Sequence, residues 1–191
     1  MHRAALILLV LSLTACVFGD DDAGIATDEL ERLVLQPEDL TGEFLRFDEG
    51  RQTRSETPLG RRSDPARFGR RDGWKARYRE SRGALVIESK ADLFESSGGA
   101  EDDLEAARAD LAEDESGWQP IDEPGLGDES FAATLVQRGA GTNVRYYQVV
   151  WREANVTASL NVNGFEGRLP LADVLELARK QERRISDASD G

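Results

Sequence analysis

The chain has 191 residues, of which 39 % are hydrophobic, and this size is typical of one compact domain with a single core. Its formal net charge of -13 argues against a general nucleic-acid-binding protein, because such proteins usually carry a basic surface that pairs with phosphates. Only one cysteine is present, so no internal disulfide bond stabilises the fold.

The first segment of the chain has the pattern of a secretory signal peptide. Arg3 is followed by the apolar stretch 4–13, which is too short to span a bilayer. Residues 13–16 then read LTAC, which resembles the lipobox of bacterial lipoproteins. The resemblance implies cleavage between Ala15 and Cys16, and anchoring of the new N-terminal cysteine by a diacylglyceryl group and further acylation, for example with palmitate. The alternative is an ordinary cleaved signal peptide with a chance cysteine.

The rest of the chain divides into a tether, one domain and a short tail. Residues 16–26 are acidic and contain glycine, a composition that predicts a flexible tether. Residues 27–186 are predicted to form a single α+β domain, and residues 187–191 a frayed tail. Lipidation of Cys16 implies a protein anchored to the cell membrane or an outer membrane and facing the extracytoplasmic side.

The elements predicted before residue 100 are a helix, a short strand and a hairpin. A helix is expected over 27–35 and an extended segment over 44–47. Residues 49–73 contain many glycines, prolines and charges, which predict a long surface loop. Apolar and polar side chains alternate over 74–79 and 84–94 on either side of a glycine-containing turn, a pattern that predicts a β-hairpin.

The second half of the chain predicts a helix, three strands and a closing helix. Apolar residues at helical spacing indicate an amphipathic helix over 100–112, and residues 118–121 have the character of a short edge strand. Short loops then separate three apolar segments that suit an antiparallel meander. These segments are 131–136, 144–151 and 156–163. Pro170 suits the first turn of the closing helix.

This order predicts an α+β fold, with a single antiparallel sheet of about five to six strands and two to three helices packed on it. Together with the lipobox, the PGLGDESFA turn and the LELARKQERRI helix, it resembles the small bacterial lipoproteins that have a PsbP-like α+β sandwich. The resemblance covers about residues 30–185. It implies a non-catalytic envelope protein that binds partners or ligands, and it carries over no catalytic residue.

The types of residue in the chain, and their positions, argue against a catalytic function. The only histidine, His2, lies in the predicted signal peptide, so Ser-His-Asp, Cys-His and His-metal schemes are excluded. Most carboxylates lie in acidic runs such as EDDLE that suit a solvated helix face, and contiguous acids lack the ligand spacing of a calcium loop. We therefore expect no catalytic residue, no metal and no cofactor. Two alternatives remain, a histidine-free hydrolase of a cone-shaped α+β type and a carrier of apolar ligands.

Two sets of residues are candidates for binding. Residues 46–90 contain thirteen basic and seven acidic residues, and a basic group within them suits an anionic partner such as lipid headgroups. This basic group is Arg61, Arg62, Arg67, Arg70, Arg71, Lys75, Arg77 and Arg79. The alternative is a solvated loop balanced by the acidic helix, because residues 91–130 contain fourteen acidic residues and one basic residue.

The second set consists of aromatic residues at strand spacing. Trp74, Tyr78, Tyr147 and Trp151 are candidates for the lining of a ligand groove. The alternative is that these side chains form part of the hydrophobic core. The expected partners are the membrane, through the modified Cys16, and an envelope protein or ligand, with no nucleic acid among them.

Overall fold

The structure is a computed structural model that describes residues 25–52, 60–62, 64 and 66–189. Its strands are β1 (Phe44–Arg51), β2 (Arg70–Glu80), β3 (Val86–Phe94), β4 (Gln119–Ile121), β5 (Glu129–Gln137), β6 (Val144–Glu153) and β7 (Val156–Phe165). The α-helices are α1 (Ser97–Glu113) and α2 (Leu171–Ser189). Cys16, the predicted cleavage position before it and most of the predicted tether lie outside the described residues.

The seven strands form a single antiparallel sheet in the order β1-β2-β3-β7-β6-β5-β4. The α+β class and the single antiparallel sheet are therefore confirmed. The predicted number of five to six strands is wrong, because the short edge strand expected over 118–121 belongs to the same sheet as its seventh strand, β4, and pairs with β5 through three residues. The predicted hairpin is β2–β3, and the predicted meander is β5–β6–β7.

Residues 25–40, which we call the strap, lie across one face of the sheet. They contain two 3₁₀ helices, Thr27–Arg32 and Pro37–Asp39, where the sequence predicts one helix over 27–35. The amide of Leu35 donates to Ser89 Oγ at 2.9 Å, and the hydroxyl of Tyr78 donates to the carbonyl oxygen of Leu35 at 2.7 Å. Because sheet side chains satisfy both backbone groups of Leu35, the chain is not held in a helix there.

The same face of the sheet packs against α2 and contains the main core. Ser89 Oγ donates to Gln181 Oε1 at 2.7 Å, and both residues are fully buried. Apolar residues from the strands and the helix surround this bond, as expected for an amphipathic helix that packs on a sheet. They include Ile87, Ala91, Val149, Trp151, Leu160, Val174, Ala178 and Ile185. The helix continues to Ser189, three residues into the predicted frayed tail.

Helix α1 packs on the opposite face of the sheet. Thr157 Oγ1 in β7 donates to the carbonyl oxygen of Ala100 in α1 at 3.1 Å. The helix begins at Ser97 and not at residue 100, because Ser96 caps it by accepting a hydrogen bond from the amide of Gly99 at 3.2 Å. The sheet therefore has one helix on each face, and not a single helical layer.

Gly99 is the position where the loop before β2 approaches α1. A Cβ atom at Gly99 would lie 2.3 Å from the carbonyl oxygen of Phe68, a backbone atom that cannot swing away. We expect Gly99→Ala to lower the free energy of unfolding by about 1–3 kcal/mol, measured by denaturant titration. Gly98→Ala is the matched control, since its Cβ would meet only Ser96 Oγ at 3.8 Å. Equal stability of the two variants would contradict this account of the contact.

The loop predicted over 49–73 is shorter than expected at both of its ends. Strand β1 continues to Arg51 and β2 begins at Arg70, with Gly50 opposite Lys75 and Arg51 opposite Trp74. Gly50 and Arg51 are tolerated because β1 is the edge strand of the sheet. In the interior strand β2, Gly73 leaves room for Arg70 and Asp92, which a Cβ atom there would meet at 2.2 Å.

The two ends of the sheet differ in what lies beside them. At one end, which we call the Asn155 end, Ile25 is buried and its amide donates to Asn155 Oδ1 at 3.0 Å. Ile25 therefore packs within the domain, although the sequence places it in the tether. At the other end, which we call the Leu85 end, β3 begins beside Leu85 and β7 finishes at Phe165. The ten residues of β7 separate the two ends by about 30 Å.

Candidate functional site

A half-open pocket of about 440 Å³ lies at the Leu85 end of the sheet, on the face that packs against α2. The strap, the first residues of β1, the β2–β3 connection and the N-terminal half of α2 contribute its lining. Its volume falls within the roughly 300–1,000 Å³ that is typical of binding pockets. A depression of about 900 Å³ beside α1 is more open to solvent, so the more enclosed pocket at the Leu85 end is the better candidate.

The floor of this pocket is apolar and continuous with the core. Ile87 is fully buried at its base, whereas Leu40 and Phe44 are only partly buried. The six apolar lining residues are Leu40, Phe44, Leu85, Ile87, Leu169 and Leu177. Partly buried apolar side chains at a pocket floor lose further contact with water when a ligand covers them, which favours binding.

The rim of the pocket is charged. Its six charged residues are Glu43, Glu80, Arg168, Asp173, Glu176 and Lys180. Arg168 donates to Glu80 at 3.0 Å, and Lys180 Nζ donates to the carbonyl oxygen of Asp39 at 2.6 Å, so both cations have a partner within the protein. The remaining carboxylates give the rim an excess of negative charge.

The helical repeat of α2 brings several of the lining residues to one face of the helix. Asp173, Glu176, Leu177 and Lys180 are three, four and seven positions apart, so they share one face of the helix. The strap supplies the opposite wall, and Arg184 holds it there by donating to Asp39 Oδ2 at 2.8 Å. No pattern in the sequence marks this site, because its residues come from segments that are far apart in the chain.

The structure divides the basic group instead of assembling it into one surface. Arg61 contacts Asp110 and Glu113 of α1, and Arg62 donates to both carboxylate oxygens of Asp103 at 2.8 Å. These ion pairs match the alternative interpretation, in which negative charges of the acidic helix pair with positive charges of the basic loop.

The remaining members of the basic group lie along β2 and just before it. Lys75 and Arg77 contact Asp48 of β1, and Arg70 contacts Asp92. Arg67, Arg71 and Arg79 are exposed and form no ion pair within the described part of the chain. Arg71 lies at the Asn155 end of β2 and Arg79 at the Leu85 end, so these two cations are not adjacent. Binding of an anionic partner by this group stays a prediction.

Asp92 is the centre of a buried cluster on the face that packs against α1. Its carboxylate lies 2.6 Å from Arg70 Nη2, 2.9 Å from Lys90 Nζ and 3.8 Å from Arg62 Nη2. Burial disfavours the charged form, yet Lys90, Arg70 and Arg62 together lower the pKa of Asp92 below its ordinary value. The cluster joins the loop before β2 to the sheet and, through Arg62, to α1.

The aromatic residues considered as a groove lining lie mainly in the core. Tyr78, Tyr147 and Trp151 are buried on the face that packs against α2, and Trp74 is partly buried beside them. Burial also raises the pKa of the Tyr78 hydroxyl. None of the four lines the pocket at the Leu85 end. Their positions match the alternative interpretation, in which aromatics at strand spacing belong to the core.

Comparison with known proteins identifies a similar fold. No protein family matches the chain, and no curated protein sequence matches it. Among solved structures, the extracellular domain of PknH from Mycobacterium tuberculosis is similar, with a TM-score of 0.65 and 12 % sequence identity over 88 % of this chain and 98 % of that one. At this identity the similarity shows the fold alone. It does not test the PsbP-like resemblance, which stays a prediction.

Two further findings concern the described residues only. None of the helices there has the length and apolar character needed to cross a membrane. No group of three or more acidic, histidine or cysteine side chains in the same residues is arranged to hold a metal ion.

Proposed function

We propose that this protein is a lipid-anchored, non-catalytic binding module of the cell envelope, which faces the extracytoplasmic side and presents the pocket at the Leu85 end to a partner. The proposal combines the lipobox around Cys16 with the geometry of the described domain. The similarity in fold to an extracellular domain is compatible with it.

The observation that carries the proposal is the opposite placement of the pocket and of the start of the domain. Ile25 lies at the Asn155 end of the sheet, only nine positions after Cys16. Nine residues reach at most about 30 Å, so a lipidated Cys16 holds the Asn155 end close to the membrane. The pocket lies at the Leu85 end, about 30 Å further along the sheet. A partner in the extracytoplasmic space therefore has access to it.

The interior of the domain supports a binding role over the two alternatives considered from the sequence. The space between the sheet and α2 is filled with apolar side chains, such as the fully buried Leu160, Val174 and Ile185. A hydrolase requires a deep pocket with converging polar groups, and a carrier of apolar ligands requires a large internal cavity. The half-open pocket instead has a shape that suits a side chain or segment of a partner.

The anchoring part of the proposal is tested by Cys16→Ala. We expect the wild-type protein to sediment with membranes and to be released by detergent, whereas the variant remains in the soluble fraction, because it has no acylated thiol. Metabolic labelling with a palmitate analogue gives a second measurement, with signal expected only for the wild-type protein. Asp20→Asn is the control, since it alters the same segment and keeps the cysteine. Sedimentation of Cys16→Ala with membranes would contradict lipid anchoring.

A further inference from the structure

Three carboxylates at the pocket rim form no ion pair within the described ranges of the chain. They are Glu43 just before β1, and Asp173 and Glu176 in the first two turns of α2. All three side chains are exposed. The other charged groups of the rim are already engaged with each other or with the strap. The three carboxylates therefore remain available to a cation outside the protein.

We infer that the pocket binds a segment of a partner protein that combines a bulky apolar side chain with lysine or arginine. This inference rests on the proposed function and specifies the chemistry of the partner. The apolar side chain covers Leu40, Phe44 and Leu169 on the floor, where partly buried apolar surface is removed from water. The basic side chain lies against Asp173 and Glu176, whose charges the protein itself leaves uncompensated.

A protein partner is favoured over a small molecule by exposed apolar side chains at the same end of the sheet as the pocket. The large hydrophobic residues that are exposed in the described structure are Leu45, Phe47 and Phe165. Leu45 and Phe47 lie on β1 and Phe165 ends β7, so they are near the Leu85 end, but their side chains project from the face of the sheet opposite the pocket. A protein that covers this end of the domain reaches apolar side chains on both faces of the sheet, which a small molecule in the pocket does not, and exposed apolar surface of this kind is typical of protein interfaces.

The distribution of charge around this end gives the partner segment an orientation. Arg77 and Arg79 stack on the ring of Phe47, at 5.1 Å and 5.9 Å from its centre, on the face of the sheet opposite the pocket. Arg77 is paired with Asp48 and Glu88, but Arg79 forms no ion pair within the described residues and repels a basic side chain on that side, whereas the carboxylates at the pocket attract one. The basic residues of the partner are therefore directed to the α2 side of the sheet.

A metal ion is a poorer occupant than a basic side chain. The rim carboxylates do not form a group that can hold a metal ion, since no such group occurs among the described residues. Lysine and arginine have long side chains that reach carboxylates from an apolar anchor point, and arginine donates to two carboxylate oxygens at once.

The test uses the full-length chain in detergent and short synthetic peptides in which leucine or phenylalanine alternates with lysine or arginine. Fluorescence anisotropy measures their affinity for the wild-type protein and for the double variant Asp173→Lys, Glu176→Lys. We expect the double variant to bind at least tenfold more weakly, and binding to the wild-type protein to weaken as salt concentration rises. The control Asp122→Lys, Glu123→Lys has the same change in net charge outside the pocket, and we expect it to bind like the wild-type protein.

A second variant keeps the test independent of helix stability. A lysine in the first turn of α2 opposes the helix dipole, so Glu43→Lys, which lies before β1, reverses one charge of the rim outside the helix, half the change in net charge of the double variant. We expect it to weaken binding as well. Unchanged affinity in both variants, or no binding of any basic peptide, would overturn the inference.

The chemistry of the peptide separates this inference from the proposed function. Peptides with glutamate in place of lysine and arginine, and peptides with serine in place of leucine and phenylalanine, are both expected to bind at least tenfold more weakly. If the glutamate peptides bind well and Leu169→Asn abolishes that binding, the pocket is a binding site but the inferred basic partner is wrong. If no peptide binds while Cys16→Ala leaves the membrane, the inference fails and lipid anchoring stands.

Discussion

Replacement of Asp92 by alanine is expected to lower the free energy of unfolding by about 3–5 kcal/mol, as is typical when one partner of a buried ion pair is removed. Asp92 is 3 % exposed and is the common partner of Arg70, Lys90 and Arg62. Without its carboxylate, three cations on the face that packs against α1 lose their shared negative charge. Denaturant titration followed by circular dichroism measures the change.

Two further variants separate the charge of Asp92 from its packing. Asp92→Asn keeps the shape of the side chain and removes its charge, so we expect most of the destabilisation to remain. Asp102→Ala removes an exposed carboxylate on α1 and is expected to change the free energy of unfolding by less than about 0.5 kcal/mol. A stable Asp92→Asn variant would show that the cluster contributes packing and not charge compensation.

The lowered pKa of Asp92 also predicts the pH dependence of this contribution. The ordinary pKa of this carboxyl is 3.8 and its pKa is lower in the folded protein, so the unfolded chain takes up the proton first as pH falls. The stabilisation is therefore complete well above pH 3.8 and is lost as pH falls through the folded pKa, below that value. We expect the difference in free energy of unfolding between the wild-type protein and Asp92→Asn to shrink in this acid range. A difference that does not depend on pH there would contradict the charge-based explanation.

Replacement of Trp151 by alanine is expected to destabilise the protein by about 3–5 kcal/mol, because it removes the largest fully buried side chain from the core. The indole fits beside small residues, since Ser130 and Ala158 are its partners on the neighbouring strands. A Cβ atom at Gly127 would lie 3.2 Å from Trp151 Cδ1, so the glycine also makes room for the ring. Strands and loops so adapted to one large side chain cannot close the cavity that alanine leaves.

Circular dichroism is the suitable measurement for this variant, because the substitution also removes a fluorophore. Trp118→Ala is the control, since Trp118 is only partly buried beyond the end of α1, and we expect a much smaller loss of stability. Trp151→Phe is expected to be intermediate, because it keeps an aromatic ring and removes an indole Nε1 that has no hydrogen-bond partner in the described structure. A loss below about 1 kcal/mol for Trp151→Ala would mean that the core relaxes around the missing ring.

Individual elements were predictable wherever local pattern and burial agree. The alternation over 156–163 predicts β7, and the apolar stripe of the closing helix predicts α2, because one face of each packs on the core. The strap is the exception. Residues 27–35 have the composition of a helix, but the backbone of Leu35 bonds with Ser89 and Tyr78, so contacts with the sheet override the local preference.

Binding residues were less predictable than elements. The members of the basic group lie close together in the sequence, so the sequence alone reveals the group. In the structure, however, most of them contact acidic residues of β1, β3 and α1. The pocket residues Leu40, Leu85 and Leu177 carry no shared pattern, because they meet only after the strap, the hairpin and α2 pack together. A search for motifs cannot find a site that is assembled from single residues of distant segments.

The sequence by itself determined the properties that depend on composition and on neighbouring residues. These are the lipobox pattern around Cys16, the lack of any histidine after His2, the α+β class and the alternation of individual strands. Only the tertiary structure decided that β3 pairs with β7, that one helix covers each face, and that the pocket and Ile25 lie at opposite ends. The physical reason is that pairing between distant segments depends on which buried surfaces fit together, whereas local propensity describes only neighbours along the chain.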